Sequence, residues 1–225
     1  MNYKVFITAL LCTVVATSFL VHSQESSKWE PLFTEDLSNA DFPDEVWSFD
    51  EGILTPSEDQ CIWTKKSYDN FVLDLEFKNA DGTNSGVFVY CSDTEGRGYV
   101  PNSVEVQIAD DYNERWANYD KKGQCGAIFG HLAASESRVK KPGKWNKMRI
   151  TCIDQNISVE LNGKVVTEMD MSLWTSATLN PDGSEIPSWL SKPKAELPTM
   201  GKIGFQGKHH GAPIWFRKIM IKELK

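Results

Sequence analysis

Residues 71–78 read Phe-Val-Leu-Asp-Leu-Glu-Phe-Lys, and residues 104–110 read Val-Glu-Val-Gln-Ile-Ala-Asp. In the first stretch Phe71, Leu73, Leu75 and Phe77 alternate with Val72, Asp74, Glu76 and Lys78; in the second Val104, Val106 and Ile108 alternate with Ser103, Glu105, Gln107 and Ala109. Side chains of a strand point alternately to its two faces, so a period of two marks strands buried on one side only. The same period recurs across the chain. Ile157, Val159 and Leu161 lead into Asn162-Gly163 and out through Val165, which predicts a tight hairpin because both turn residues tolerate positive φ. A second hairpin is expected from Trp47 and Phe49 through Asp50-Glu51-Gly52 to Ile53 and Thr55, with further strands at 86–91, 125–129, 145–153, 202–206 and 213–223. No long stretch carries apolar residues at helical spacing. Many short strands separated by turns predict an all-β fold, a two-sheet antiparallel β-sandwich of the jelly-roll kind.

The first 23 residues stand apart from this pattern. A short positive start at Met1–Lys4, an uncharged and mostly apolar run from Val5 to Val21 and the small-residue exit at Ser23 read as a signal peptide. Residues 24–225 are then expected to form one exported domain, periplasmic or extracellular, with no stable membrane insertion after cleavage. Four of the five cysteines, Cys61, Cys91, Cys125 and Cys152, lie in that domain, where an even count permits bridges and isolated spacing equally suits buried free thiols. No Cys/His clustering suggests a metal site, and no cofactor is required. The 225-residue chain carries 24 Lys+Arg against 31 Asp+Glu, a net charge of −7 that speaks against nucleic acid as a partner. Residues 170–199 break the strand pattern. Pro181, Pro187, Pro193 and Pro198 forbid a ladder there while Trp174, Trp189 and Leu190 are too apolar for a free linker, so this loop is either a lid or an anchored surface excursion.

If the Val/Ile set of residues 104–108 faces the core, Glu105 and Gln107 lie side by side on the opposite, open face, and Asp110 has the other parity unless a bulge re-aims it. A carboxylate beside an amide can position and deprotonate a polyhydroxylated ligand, although exposed strands also carry such residues merely as solvated groups. Asn84-Ser85-Gly86 opens another strand, with glycine leaving room for close approach. Ile203-Gly204-Phe205-Gln206-Gly207-Lys208-His209-His210-Gly211 places Gln206 on the open face and then delivers two histidines between glycines, candidates for acid–base chemistry. Eight Trp is a high count for this length. Trp29, Trp47, Trp145 and Trp215 are expected in the core, whereas Trp63 and Trp116, with Tyr90, Tyr112 and the loop residues Trp174 and Trp189, are candidates for stacking on a sugar.

An ordered set of segments carries a family resemblance: Trp29-Glu30-Pro31-Leu32-Phe33, Ile62-Trp63-Thr64-Lys65, Tyr68-Asp69-Asn70-Phe71, Asn84-Ser85-Gly86-Val87-Phe88, Glu105-Val106-Gln107-Ile108 with Asp110, Gly126-Ala127-Ile128-Phe129-Gly130, Pro142-Gly143-Lys144-Trp145-Asn146, Leu161-Asn162-Gly163, Ile203-Gly204-Phe205-Gln206 and Phe216-Arg217-Lys218-Ile219. Taken in order, it resembles the 3-keto-disaccharide hydrolase family. The resemblance implies a concanavalin-like jelly roll, exported sugar metabolism and a 3-keto-glycoside or oligosaccharide substrate cleaved by elimination and hydration. It assigns Glu105 as base or acid, His209 or His210 as its partner, Asn84, Gln107 and Gln206 as donors, and Asp110, Lys65, Trp63, Tyr90 and Trp116 as substrate contacts. Two other readings remain open on the same fold. One is a conventional retaining glycosidase using the carboxyls of Glu105 and Asp110, and the other is a non-catalytic carbohydrate-binding module.

Overall fold

The computed structural model describes residues 28–225, so the leader expected at 1–23 lies outside the described residues. Thirteen strands are present: β1 (Glu30–Pro31), β2 (Ala40–Asp41), β3 (Trp47–Asp50), β4 (Ile53–Pro56), β5 (Ile62–Tyr68), β6 (Phe71–Asn79), β7 (Asn84–Cys91), β8 (Val104–Ala109), β9 (Trp145–Ile153), β10 (Asn156–Leu161), β11 (Lys164–Asp170), β12 (Gly201–Phe205) and β13 (Ile214–Glu223). They form two antiparallel sheets, as the period of two predicts. The larger runs β11-β10-β9-β6-β13-β4-β3, with β1 added to β13, and the smaller runs β2-β5-β12-β7-β8. Among the described residues one α-helix, α1 (Glu114–Ala117), follows β8, and three short 3-10 turns lie in the connections. Asn162 and Gly163 take φ of 52° and 84°, the positive values that the β10–β11 turn requires.

The two sheets face each other across one apolar layer. Phe71, Leu73, Leu75 and Phe77 of β6 meet Val104, Val106 and Ile108 of β8, Val87 and Val89 of β7 and Ile203 and Phe205 of β12. Phe205 and Phe216 stack across the interface with ring centroids 4.8 Å apart. Burying each such ring stabilises the fold by roughly 1.5–3 kcal/mol. The outward face of the smaller sheet is then free, and β8, β7, β12 and β5 present Glu105, Gln107, Asn84, Phe88 and Trp63 on it.

Four expectations change. Residues 125–129 are not a regular strand. Phe129 and Gln107 donate backbone N–H groups to Glu105 and Ala127 carbonyls at 2.9 Å along the edge of β8, but Gly126 and Gly130, at φ of 87° and 70°, turn the chain away at each end. Trp47 is core, whereas Trp29 is 41% exposed. Trp145 and Trp215 are only half-buried, lying on the outer face of the larger sheet under Lys78 and Arg217 in cation–π contacts of 3.9–5.1 Å. The four cysteines are free and buried, and burial pushes the thiols of Cys61 and Cys91 up to about 12 and about 11, as for inert side chains.

Residues 171–200 hold no strand but are firmly packed. Met171, Trp174, Ile186, Leu190 and Leu197 join the core, Trp174 donates its indole N–H to Asn180 at 2.9 Å, and Asn180 donates to the Gly130 carbonyl at 3.2 Å. Trp174 is therefore a structural residue and not a ligand contact. Among the described residues no helix is long and apolar enough to cross a membrane.

Candidate functional site

The outward face of the smaller sheet floors a cleft of about 840 Å³, within the size range of small-ligand sites. Glu105, Gln107, Asn84, Gln206, Trp63, Trp116, His209 and His210 all line it. Their convergence follows from register: Gly86 pairs with Gln107, Phe88 with Glu105, and Gly204 with both Phe88 and Trp63, so alternate residues of four neighbouring strands share the face.

Glu105 sits on the cleft floor where protein surrounds its carboxyl. Burial raises it from the ordinary carboxylate range to about 8, and the positive charge of Lys194 draws it back down. Gly86 makes room for that carboxyl, because a Cβ at residue 86 would overlap Glu105 Oε1 and lie 3.1 Å from Cδ. The expectation at this glycine is close approach by a ligand or another backbone, or a plain turn; what comes close is instead the Glu105 side chain. Beside it Gln107 donates from Nε2 to Asn84 Oδ1 at 2.7 Å, so the capacity Asn84 offers a ligand is its own amide N–H. Gln206 adds a second amide to the cleft lining, its Oε1 buried without a partner. Trp63, Phe88 and Tyr99 form an aromatic floor with centroids 5.0–5.5 Å apart, and Trp63 lies flat over Gly204, where any side chain would collide with its ring.

The two histidines differ in surroundings. His209 Nδ1 lies 2.6 Å from Asp59 Oδ2, an arrangement that fixes the Nδ1–H tautomer and leaves Nε2 to move a proton. The loop can hold this pair because Gly207 passes against the backbone of residues 58–60, where a Cβ would strike the Glu58 carbonyl. His210 is exposed at φ 64°, and Arg115 Nη2 lies 3.3 and 3.4 Å from both of its ring nitrogens. One N–H cannot point at both, so the guanidinium rests on the ring face. Burial, then His209 and Arg115, hold His210 below its ordinary value, which keeps it neutral. Trp116 donates its indole N–H to Gly82 at 2.9 Å and forms the wall beneath Arg115 and His210. Trp189, 54% exposed on the 171–200 strap, closes another side.

Four expected contacts fall outside the cleft. Tyr90 should share the face of Phe88, but φ of 57° at Tyr90 inserts a bulge that turns its ring into the core, where its hydroxyl donates to the Asp154 carbonyl at 2.9 Å. Lys65 leaves the face at the irregular middle of β5 and donates to the Ser38 carbonyl at 2.8 Å. Asp110, 1% exposed, keeps the inward parity and accepts N–H groups from Gly82 and Tyr112 at 3.0 and 3.2 Å. With Asp110 engaged in that turn, the Glu105–Asp110 pair needed by a retaining glycosidase is not assembled. Tyr112 is exposed and outside the cleft lining.

Sequence reasoning also passed over several groups. Tyr99 and Arg97 reach the cleft from a loop, and Arg115 from α1, a helix of four residues too short to show a period. Lys194 and His131 are buried, bonded to the carbonyls of Ser103 and Phe129, in proline- and glycine-flanked segments that read as surface. Among the described residues no cluster of His, Cys, Asp and Glu could hold a metal ion.

The model of the 3-keto-alpha-glucoside-1,2-lyase-like domain matches residues 24–222. A 3-keto-disaccharide hydrolase of Bacteroides thetaiotaomicron is 26% identical over 174 residues, 70% of this chain and 59% of that protein, so the chain spans about three-fifths of the relative's length. A crystal structure of a candidate glycosyl hydrolase from Parabacteroides distasonis ATCC 8503 is 60% identical at a TM-score of 0.85, covering 88% of this chain and 100% of that one. A second such structure from the same organism is 20% identical at a TM-score of 0.72, covering 88% of this chain and 94% of that one, and shows the shared fold alone. On the match that runs from residue 24 to residue 222, nearly the whole length, the chain belongs to the 3-keto-alpha-glucoside-1,2-lyase-like domain family.

Proposed function

We propose that this protein is an exported hydrolase that cleaves 3-keto-glycosides, 3-keto-disaccharides among them, by elimination followed by hydration. The observation that supports the reading most strongly is the carboxyl of Glu105 among the aromatic and amide groups of the cleft, in a family whose domain is described by 1,2-lyase chemistry on a 3-keto-glucoside. The leader-like pattern of residues 1–23 supports export.

A ketone at C3 of the glucosyl unit acidifies the proton on C2. Glu105 takes that proton, and the C2–H electron pair moves into an enolate whose oxygen is stabilised by amide N–H groups of Asn84 and Gln206. The electrons then form the C1–C2 double bond as the C1–O bond breaks, and His209, oriented by Asp59, gives its proton to the departing oxygen. Water then adds across the double bond: His209 takes one of its protons as the hydroxyl joins C1, and Glu105 returns its proton to C2, so both groups are restored and the net change is hydrolysis. Trp63 and the rings beside it hold the sugar faces, with Trp116 as the wall.

The two histidines separate experimentally. Departure of an alkoxide from an enolate proceeds in part without full protonation, so His209→Ala lowers kcat on a 3-keto-disaccharide by about 30-fold, below the usual acid–base contribution. His210→Ala changes kcat by less than about threefold, because that ring stacks on Arg115 at the rim. Steady-state kinetics check both, and a larger loss from His210→Ala than from His209→Ala overturns the assignment.

A further inference from the structure

Lys194 sits in Pro193-Lys194-Ala195-Glu196-Leu197-Pro198, a run that reads as a solvated loop, yet it is 2% exposed. Its Nζ donates to the Ser103 carbonyl at 2.8 Å, and Lys192 Nζ donates to Asn102 Oδ1 at 2.7 Å, so two lysines of the strap grip the chain just before β8. Among the described residues no carboxylate lies within 4.0 Å of the Lys194 ammonium, and this buried three-donor cation makes one hydrogen bond. A buried ammonium so poorly satisfied is costly and calls for a compensating charge. Ser103, whose carbonyl holds Lys194, stands just before β8 with the same strand parity as Glu105 two residues on, so the anchored ammonium lies on the side of the Glu105 carboxyl, and each group shifts the other.

His131 completes the cluster. It is 3% exposed, its Nδ1–H donates to the Phe129 carbonyl at 2.7 Å, and its Nε2 is buried without a partner. Phe129 in turn donates its backbone N–H to the Glu105 carbonyl at 2.9 Å. Burial, and then Lys194, drive His131 down to about 4, so it stays a neutral acceptor.

We propose that Lys194 is a positioning residue of the cleft, the internal countercharge that lets Glu105 ionise where little water reaches it and that faces the enolate charge once Glu105 has taken the C2 proton. The proposal rests on the reading of Glu105 as the base. Tyr99 and Cys61 also face Glu105, both held neutral by burial, and Arg97 and Arg115 stand elsewhere on the cleft lining, so Lys194 is the buried cation beside it. Burial pushes Lys194 itself down to about 8 while Glu105 holds it up, and the like charge of Lys192 pushes it lower. In the base step the C2–H bond breaks, the proton joins the Glu105 carboxylate, and the negative charge passes to the sugar oxygen; the ammonium is retained throughout.

The test reads the carboxyl directly. In protein labelled with carbon-13 at the glutamate carboxyls, with Glu105→Gln as the assignment control, Lys194→Gln raises the Glu105 titration midpoint by about one unit or more, since a neighbouring cation depresses a carboxyl by that much. The glutamine keeps a donor for the Ser103 carbonyl, which separates loss of charge from loss of anchoring. The ascending limb of the kcat/KM pH profile moves up by the same amount, and Lys194→Arg restores both. From the other side, Glu105→Gln lowers the midpoint of the Lys194 ammonium. A Glu105 midpoint unchanged within about 0.3 unit in folded Lys194→Gln overturns the proposal. Should that variant fail to fold, an unmoved Lys194 midpoint in Glu105→Gln overturns it equally. If the protein cleaves no 3-keto sugar, the functional reading fails while both titrations still decide the coupling.

Discussion

Glu105→Gln lowers kcat on a 3-keto-disaccharide by about 10³-fold or more, the upper range for removal of a positioned base, with KM little changed. The amide has the shape of the carboxyl and keeps one oxygen, so the fold and the aromatic floor are preserved while the proton acceptor is lost. The pH profile follows from the same group. A base works ionised, and burial has raised this carboxyl to about 8, so wild-type kcat/KM climbs with pH through neutrality. A carboxyl acting as proton donor reverses the sign, with activity falling over that interval. Equal kcat in Glu105→Gln and wild type, measured on the same oxidised substrate, removes Glu105 from the chemistry.

Gly86→Ala is expected to be nearly as damaging. The methyl group would occupy the space of Glu105 Oε1, and because the obstacle is the end of a side chain, the strand can stay in place while the carboxyl swings away. A displacement on the order of 1 Å costs about 100-fold in a positioned catalytic group. The melting temperature therefore changes little while kcat falls. Combining Gly86→Ala with Glu105→Gln separates this from a general disturbance: if the alanine acts by moving Glu105, it adds almost nothing once the carboxylate is gone. Losses that multiply in the double variant mean that Gly86 acts through some other part of the cleft.

The alternation in residues 71–78 and 104–109 was enough to read both sheets, because each strand buries one face and the period of two survives wherever register is regular. That same parity placed Glu105, Gln107 and Gln206 on the open face, where they are. It misled at Tyr90 because a positive φ shifts the alternation by one residue within β7, and no residue type there announces a bulge. Trp145 and Trp215 show a second limit: aromatic residues on the outer face of a sheet alternate as core residues do, and what covers them is a pair of cations from β6 and β13. Lys194, His131 and Tyr99 come from connecting segments and Arg115 from the four-residue α1, where position depends on tertiary packing. Lys194 in particular sits in a proline-rich run whose composition points to solvent, and only the anchoring of the 171–200 strap by Trp174, Leu190 and Leu197 carries it inside.

Comparison of one disaccharide in two oxidation states tests the central claim most directly. The purified protein is assayed for kcat/KM on a 3-keto-disaccharide and on its unoxidised parent. Without the C3 ketone the C2 proton is far too weakly acidic for a carboxylate, so cleavage of the oxidised sugar exceeds that of the parent by more than about 10³-fold. Cleavage of the parent at a comparable rate, or binding of both sugars without turnover of either, contradicts the account.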